Sequence, residues 1–357
     1  MKNQIGIYSE KVECITYTLA YSIALADYNI YLITSNKLSE ECRNNGHQRF
    51  LQRIKRIQGI NVIDIDDYVN CDIYLDILYI EFADNYSRIS VINWCKKANS
   101  HAAICYFQNS YKSQLKQIIK YFPISLGFKN IGFLNGIPKF DFYQFLTKRY
   151  LIGFDVHAKF LEDEQLSNIM FSFDWQAQTP RKYKFNFLGN ILPLERTKIL
   201  NQIKSYLGLP QQIIDSTNHI HNLNFEFVWL EYGNMTPIEK GGLSTNDYIN
   251  CLSNSDFTLC PLGYSKVTHR VVEALVRGSI PILNKDELHL YDMSLENGVN
   301  CIAVDKYNWN SSIDRILNIQ ENELIKMRSN ILEMKDKYLL PTVFARRLRQ
   351  KMGLEDV

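Results

Sequence analysis

Residues 248–283 read YINCLSNSDFTLCPLGYSKVTHRVVEALVRGSIPIL. The apolar run that opens at Phe257 is typical of a buried strand, and Pro261 ends it because proline cannot continue a central hydrogen-bond ladder. A loop leads from there into a helix, for which Gly278 is a natural C-terminal cap. A second apolar run opens directly afterwards at Ile280. The stretch therefore predicts a strand, a loop, a helix and a buried strand in succession, which is typical of the α/β class.

The loop before this helix combines features of a diphosphate-binding site. It holds three small or hydroxylic residues, Gly263, Ser265 and Thr268. The helix start offers unpaired N–H groups and the positive end of the helix dipole, and Lys266 and Arg270 add full positive charge. Glu273 follows one turn after Arg270, where its carboxylate could accept hydrogen bonds from two ribose hydroxyls. On spacing alone, Arg270 and Glu273 could equally form an ordinary ion pair on the helix surface.

The rest of the chain also alternates between strand and helix patterns. The first 35 residues read as strand, helix and strand, and further short apolar runs follow with polar stretches long enough for helices between them. A second series starts at Tyr183, after a segment in which the pattern loosens. Such alternation predicts two α/β sheets in tandem. We expect an N-terminal domain at residues 1–165, a second domain at 166–340 and a C-terminal basic helix at 341–357.

Composition argues against several classes of protein. Lys and Arg number 40 against 38 Asp and Glu, so the formal charge of +2 lacks the basic excess that binding to a nucleic-acid backbone demands. The 8 cysteines show no C-x-x-C and no zinc-ligand spacing, which indicates reduced core thiols. The longest uncharged run, residues 14–26, is too short to cross a bilayer. We therefore expect a cytoplasmic protein that binds no nucleic acid.

The C-terminal helix is basic and amphipathic. Its basic residues are Arg346, Arg347, Arg349 and Lys351. Such a helix could lie on an anionic membrane surface or contact a charged glycolipid at the cytosolic face. The alternative is a solvated helix face that packs through Val343, Phe344 and Leu348.

The stretch quoted first resembles the signature of the exostosin-like glycosyltransferases, known as glycosyltransferase family 47. The pattern is Y-x-x-x-L-S-x-S-x-F-x-L-x-P-x-G, followed by T-x-R-x-x-E-A-L-x-x-G-x-I-P-I. The matching residues are Tyr248, Leu252, Ser255, Phe257, Leu259, Pro261, Gly263, Thr268, Arg270, Glu273, Ala274, Leu275, Gly278, Ile280 and Pro281. A second match, F-x-F-L-G-N at 185–190 with Arg196 after it, is similar to the opening strand and loop of the family's C-terminal domain.

The resemblance implies a GT-B architecture, in which two Rossmann-like domains face each other across a cleft. It implies an inverting, metal-independent transfer from a nucleoside diphosphate sugar to a saccharide or glycolipid acceptor, in polysaccharide or glycan biosynthesis. Arg270 would stabilise the leaving diphosphate, and Glu273 would hold the ribose. The predicted donor-binding residues are Gly189, Asn190, Arg196, Gly263, Ser265, Lys266, Thr268, Arg270 and Glu273. The alternatives are a retaining GT-B transferase of another family, and a protein of this fold that binds nucleotide or glycan without turnover.

An inverting transfer also needs a catalytic base within hydrogen-bond reach of the acceptor hydroxyl. We favour Glu13, because loops after the first strand of such domains commonly face the cleft. The other candidates are Glu10, Glu81, Asp84, His101 and His157. The D-x-D motif at residues 64–66 is interpreted as a solvated turn, since acidic residues are common in turns. We therefore expect no metal and no other cofactor.

Overall fold

The structure is a computed structural model of the 357-residue chain. It describes residues 4–8, 20, 29–34, 48–57, 59–64, 73–79, 102–106, 130–134, 149–151, 160–161, 163–209, 219–222, 226–232, 243–263, 267–305 and 308–352. The chain divides into two compact units. Unit 1 comprises Met1–Gly153, His157–Glu162 and Pro341–Val357, and unit 2 comprises Phe154–Val156 and Asp163–Leu340.

The described part of unit 1 contains a parallel sheet of 7 strands. The strands are β1 (Gln4–Tyr8), β2 (Asn29–Thr34), β3 (Ile60–Asp64), β4 (Ile73–Tyr79), β5 (Ala102–Tyr106), β6 (Asn130–Leu134) and β7 (Arg149–Leu151), and helix α1 (Gln48–Ile54) precedes β3. Their order is β3-β2-β1-β4-β5-β6-β7. The chain moves outward from β1 to β3 and then returns to the other side of β1, so the order reverses between β1 and β4.

Unit 2 is built on a sheet that contains 6 strands within the described residues. The strands are β8 (Tyr183–Asn190), β9 (His219–Asn222), β10 (Glu226–Tyr232), β11 (Ser255–Leu259), β12 (Ile280–Asn284) and β13 (Ile302–Val304). Their order is β13-β12-β11-β8-β10-β9, and all neighbours run parallel except β9, which is antiparallel to β10. The α/β class predicted from the alternating pattern is confirmed.

The described part of unit 2 contains six α-helices. They are α2 (Glu164–Met170), α3 (Leu194–Tyr206), α4 (Thr245–Ser253), α5 (His269–Val276), α6 (Trp309–Asn318) and α7 (Glu321–Glu333), with a 3₁₀ helix at Lys285–Tyr291 and a π-helical turn at Lys335–Leu339. Of these helices, α3, α4 and α5 lie between strands. The chain leaves β8 through α3 and enters β9 and β10 on one side, whereas it leaves β11 through α5 and enters β12 on the other side. The connections therefore part between β8 and β11.

The core of unit 2 reflects the alternation of side chains along β8. Phe185 and Phe187 are fully buried and pack against β10, with ring centroids 4.8 Å from Phe227 and 5.3 Å from Trp229. Leu188 points to the opposite face, because successive side chains of a strand alternate. This burial of both faces is expected for a parallel sheet covered by helices.

The C-terminal helix α8 (Pro341–Met352) packs on unit 1. It begins at Pro341, where the sequence predicted a break, and Val343, Phe344 and Leu348 are buried as the packing alternative proposed. Contact of its basic face with a membrane stays a prediction. Within the described residues, no helix combines the length and the apolar character needed to span a membrane.

Three short strands were not predicted, namely β6, β7 and β9. In β9 the sequence is HIHN and in β7 it is only three residues long, so neither has enough residues for a period of two to stand out. The D-x-D motif begins at the end of β3, and its second acid, Asp66, lies outside the described residues. The interpretation of this motif as a solvated turn stays a prediction.

Candidate functional site

The carboxyl ends of β8 and β11 lie side by side in unit 2. The two strands are direct neighbours in the sheet, and the connections that follow them depart in opposite directions. Ligands of open α/β sheets bind in the crevice that forms at such a point, beyond the carboxyl ends of the strands. The residues around this point therefore form the candidate site.

Arg196 joins the two loops that border the crevice. Its Nε donates to the Leu262 carbonyl after β11 at 3.0 Å. Its Nη1 donates to the Asn190 carbonyl at 2.9 Å and to the Asn190 side-chain oxygen at 3.0 Å, at the end of β8. A Cβ atom on Gly263 would lie 2.7 Å from Arg196 Nη2, so the loop passes this close to the guanidinium only because residue 263 has no side chain. Arg196 and Gly263 thus set the spacing of the loops.

Arg270 lies in the first turn of α5 and reaches across to β8. Its Nη2 donates to the Leu188 carbonyl, and its guanidinium lies over the Phe187 ring at 5.1 Å from the centroid. Gly189 lies so close to the guanidinium that any Cβ atom there would collide with it. Nε and Nη1 of Arg270 are buried and donate to no group among the described residues. Buried donors are normally paired, so these two N–H groups call for an acceptor.

Glu273 lies one turn after Arg270 and is only 4% exposed. The Tyr248 hydroxyl of α4 donates a hydrogen bond to Glu273 Oε2. Burial and the adjacent Glu273 charge raise the pKa of Tyr248 well above its ordinary value. The phenol therefore keeps its proton and remains a donor to the carboxylate.

The start of α5 has no side-chain cap among the described residues. Thr268 is the N-cap residue, but its hydroxyl is buried without a hydrogen-bond partner in the described part of the chain. Its backbone N–H donates to the buried Tyr291 hydroxyl at 2.9 Å. Such a helix start keeps the positive end of the helix dipole at the crevice. Ser265 and Lys266, which we predicted beside it, lie outside the described residues.

Most of the predicted donor-binding residues therefore lie around one crevice. These are Gly189, Asn190, Arg196, Gly263, Thr268, Arg270 and Glu273. That they bind a donor stays a prediction. The favoured base Glu13 and the other base candidates, Glu10, Glu81, Asp84, His101 and His157, lie outside the described residues.

Two tyrosines of the site had no functional assignment from the sequence. Tyr248 was part of the quoted motif, but a motif does not reveal that its hydroxyl contacts Glu273, 25 residues further along the chain. Tyr291 lies outside the motif, and no pattern in the sequence indicates its contact with Thr268. Both are long-range contacts that only the packing of α5 creates.

The described residues contain no group of three or more His, Cys, Asp or Glu side chains that could hold a metal ion. Cys251, Cys260 and Cys301 are free thiols. Burial raises the pKa of Cys260, which directly follows β11, to about 12, so this thiol is protonated at neutral pH.

Comparison with solved structures shows the fold of the protein. The N-terminal domain of Candida albicans trehalose-6-phosphate phosphatase has a TM-score of 0.58 at 10% identity, covering 99% of this chain and 97% of that one. An α-glucosyltransferase solved with UDP-glucose and DNA containing an abasic site has a TM-score of 0.56 at 14% identity, with 99% and 100% covered. Sucrose-phosphate synthase from Thermosynechococcus elongatus has a TM-score of 0.56 at 11% identity, with 98% of each chain covered. The protein has the fold of the GT-B glycosyltransferases, as predicted.

A family model identifies the C-terminal unit more closely. Residues 168–294 match the model described as the RXYLT1 C-terminal domain, which is exostosin-like. No curated protein matches the sequence. The matched range contains the whole crevice described above, and the resemblance to exostosin-like glycosyltransferases is confirmed. By its family match over residues 168–294, the chain is classed as a glycosyltransferase.

Proposed function

We propose that the protein transfers a sugar from a nucleoside diphosphate sugar to a saccharide acceptor, and that the donor binds in the crevice between β8 and β11. The observation that carries this proposal is Arg270, whose Nε and Nη1 are buried without an acceptor in the described part of the chain. A diphosphate supplies anionic oxygens, which make the strongest hydrogen bonds with a guanidinium. The site therefore has donors in place for a ligand of this chemistry.

The remaining groups of the crevice suit the other parts of such a donor. The start of α5 favours negative charge through its dipole and N–H groups. Glu273 is a carboxylate one turn away, which suits the hydroxyls of a ribose. Because Arg270 would bind most strongly when charge develops on the leaving diphosphate, it would contribute to catalysis as well as to binding. UDP sugars are the first donors to test, since the α-glucosyltransferase of similar fold was solved with UDP-glucose.

The proposal includes inversion at the anomeric carbon, no requirement for a metal, and Glu13 as the base. NMR analysis of the product anomer tests the first point, and a retained configuration would favour the alternative of a retaining transferase. Activity that persists in excess EDTA would support metal independence, whereas activity restored only by added Mg²⁺ or Mn²⁺ would contradict it. Glu13→Gln should lower kcat strongly with little change in donor affinity, because the base acts on the acceptor.

The acceptor class follows from charge and family resemblance. A net charge of +2 does not favour a polyanion, and we propose a saccharide or a glycolipid, in the assembly of a polysaccharide or glycan. Oligosaccharides, glycolipid micelles and duplex DNA should be offered in parallel. Transfer to DNA alone would contradict this part of the proposal.

Peripheral membrane contact through α8 predicts cosedimentation with anionic vesicles, which should weaken when Arg346 and Arg349 are replaced by Gln.

The donor site can be tested by thermal unfolding with nucleoside diphosphates and their sugars. A ligand at 100 times its Kd adds about 2.7 kcal/mol to the stability of the folded state. We expect UDP and a UDP sugar to raise Tm of the wild type, and Arg270→Ala to remove this shift. Arg315→Ala is the matched control, because Arg315 is a solvent-exposed arginine of unit 2 that pairs with Glu323 at 3.4 Å. If no nucleotide raises Tm, or if Arg270→Ala responds like the wild type, the donor site is wrongly assigned.

A further inference from the structure

The hydrogen bond between Tyr248 and Glu273 is a polar contact of the crevice that the proposed function leaves unused. The phenol belongs to α4, and the carboxylate belongs to α5, so the hydrogen bond joins two helices. Glu273 is buried, and the donor atom can only be the Tyr248 hydroxyl when the carboxylate is ionised. The contact therefore fixes the direction of one carboxylate oxygen.

The Tyr248 ring is held in place by the strands that form the crevice. It packs against a buried cluster formed by Leu188, Val228 and Leu230. Leu188 thereby supports two groups at once, because its side chain contacts this cluster while its carbonyl accepts the hydrogen bond of Arg270. The position of the phenol is thus tied to the same strand, β8, that positions the arginine.

A carboxylate held in this way can select among sugars. Its two oxygens can accept several hydrogen bonds, and the phenol donates one of them, to Oε2. A ribose presents two adjacent hydroxyl donors, and a 2′-deoxyribose presents one fewer. A site built to accept a hydroxyl hydrogen bond discriminates against the analogue that lacks it, because its buried acceptor then stays unpaired. This discrimination requires a carboxylate with a fixed orientation. The hydrogen bond from the phenol keeps the carboxylate from turning away.

We propose that Tyr248 is a positioning residue that makes the donor site selective for ribonucleotides by orienting Glu273. This inference rests on the proposed function, since it assumes that a nucleoside diphosphate binds in the crevice. Tyr248 would act through Glu273 and would not itself need to contact the nucleotide.

The test compares UDP with 2′-deoxy-UDP on the full-length protein by isothermal titration calorimetry. Tyr248→Phe keeps the ring that packs on β8 and removes only the hydroxyl. Tyr183→Phe is the matched control, because Tyr183 packs in the same cluster and its hydroxyl makes no hydrogen bond among the described residues. We expect the wild type and Tyr183→Phe to prefer UDP about tenfold or more, and Tyr248→Phe to lose most of this preference through weaker binding of UDP alone.

The outcomes separate this inference from the proposed function. If the wild type binds neither nucleotide, the proposed function itself fails. If it binds both equally, the donor site stands but the ribose role of Glu273, and with it this inference, is overturned. If Tyr248→Phe keeps the wild-type preference, or loses affinity for both nucleotides by the same factor, the hydroxyl has only a structural role and the inference is wrong. Glu273→Gln should also lose the preference, because it replaces the carboxylate by an amide with one acceptor oxygen, whereas Tyr248→Phe leaves the carboxylate free to turn.

Discussion

Arg270 and Arg277 lie at opposite ends of helix α5 and are used in opposite ways. Arg277, at the C-terminal end, donates hydrogen bonds from all three of its guanidinium nitrogens. The acceptors are the Ser253 hydroxyl for Nε, the Ile169 and Met170 carbonyls and the Ser172 hydroxyl for Nη1, and the Asp174 carboxylate for Nη2. Arg270, in the first turn, donates only from Nη2 to a protein group, and its two other nitrogens are buried without acceptors in the described part of the chain.

The difference lies in where the acceptors come from, and under the proposed function Arg270 would receive its acceptors from the ligand. A buried guanidinium is costly unless its donors are paired, so Arg277 is satisfied by the protein itself and holds it together. The cost of the unpaired donors of Arg270 is offset only when something else supplies the acceptors. Chemically identical side chains on one helix thus differ because one end faces the rest of unit 2 and the other faces the crevice.

Two further arginines of unit 2 donate mainly to the protein itself, namely Arg181, which precedes β8, and Arg328 of α7. Arg181 donates to the carbonyls of Leu252, Ser255 and Arg277, at the ends of α4 and α5 and at the start of β11. Arg328 donates to Ala177 and Thr179 and pairs with Asp256. The helix dipole favours a cation such as Arg181 at the C-terminal ends of α4 and α5. Arg181 and Arg328 together hold the segment before β8 against the amino end of β11.

The largest effect on stability is expected when Arg277, whose donors are paired, is replaced. Arg277→Met should lower the free energy of unfolding by about 3 kcal/mol, because several buried carbonyls lose their donor at once. Urea denaturation measures this change. UDP affinity, measured where the variant is still folded, should stay near the wild-type value. A variant that unfolds like the wild type would show that the network around Arg277 is not stabilising.

Replacing Arg270 should weaken ligand binding and leave stability largely unchanged. Arg270→Met should weaken UDP binding about 100-fold, which corresponds to about 2.7 kcal/mol, because a charge-assisted contact with the diphosphate is lost. Its free energy of unfolding without ligand should stay equal to that of the wild type or rise, since two unpaired buried donors disappear. Urea denaturation without ligand and calorimetry with UDP measure the two quantities. A large loss of stability with unchanged affinity would mean that Arg270 is as structural as Arg277.

A smaller effect sharpens the comparison at the C-terminal end of α5. Gly278 has φ of 69°, and a Cβ atom there would lie 2.5 Å from Trp175 and 2.6 Å from Arg181. Gly208 has nearly the same φ, 67°, and nothing within 4 Å. Gly208→Ala should therefore cost about 1 kcal/mol for the left-handed backbone alone, and Gly278→Ala about 2 kcal/mol because neighbours must also move.

Thermal or urea denaturation of the two glycine variants gives the difference directly. Equal losses of stability would indicate that Trp175 and Arg181 yield without cost, and that the C-terminal end of α5 is packed less tightly than the contacts suggest. Neither glycine variant should alter UDP affinity, because both positions lie away from the crevice.

Much of unit 2 could be predicted because its signals are local. The run from Phe257, the stop at Pro261 and the cap at Gly278 predicted β11 and α5 within one or two residues. The spacing of apolar residues, a proline and a glycine each influence the backbone over a few residues. These signals can therefore be recognised in the sequence itself. The short strands β7 and β9 were missed because too few of their residues show the alternation of a strand.

The α/β class, the order of helices and strands around Arg270 and Glu273, and the family resemblance that the comparisons confirm could all be predicted from the sequence. Only the tertiary structure decided which of the arginines is paired, since the acceptors of Arg277 include carbonyls more than 100 residues away in the sequence. It likewise decided the strand order that leaves a crevice between β8 and β11, and the contact of Tyr248 with Glu273. The physical reason is that hydrogen-bond satisfaction depends on atoms brought together by packing, which no local pattern records.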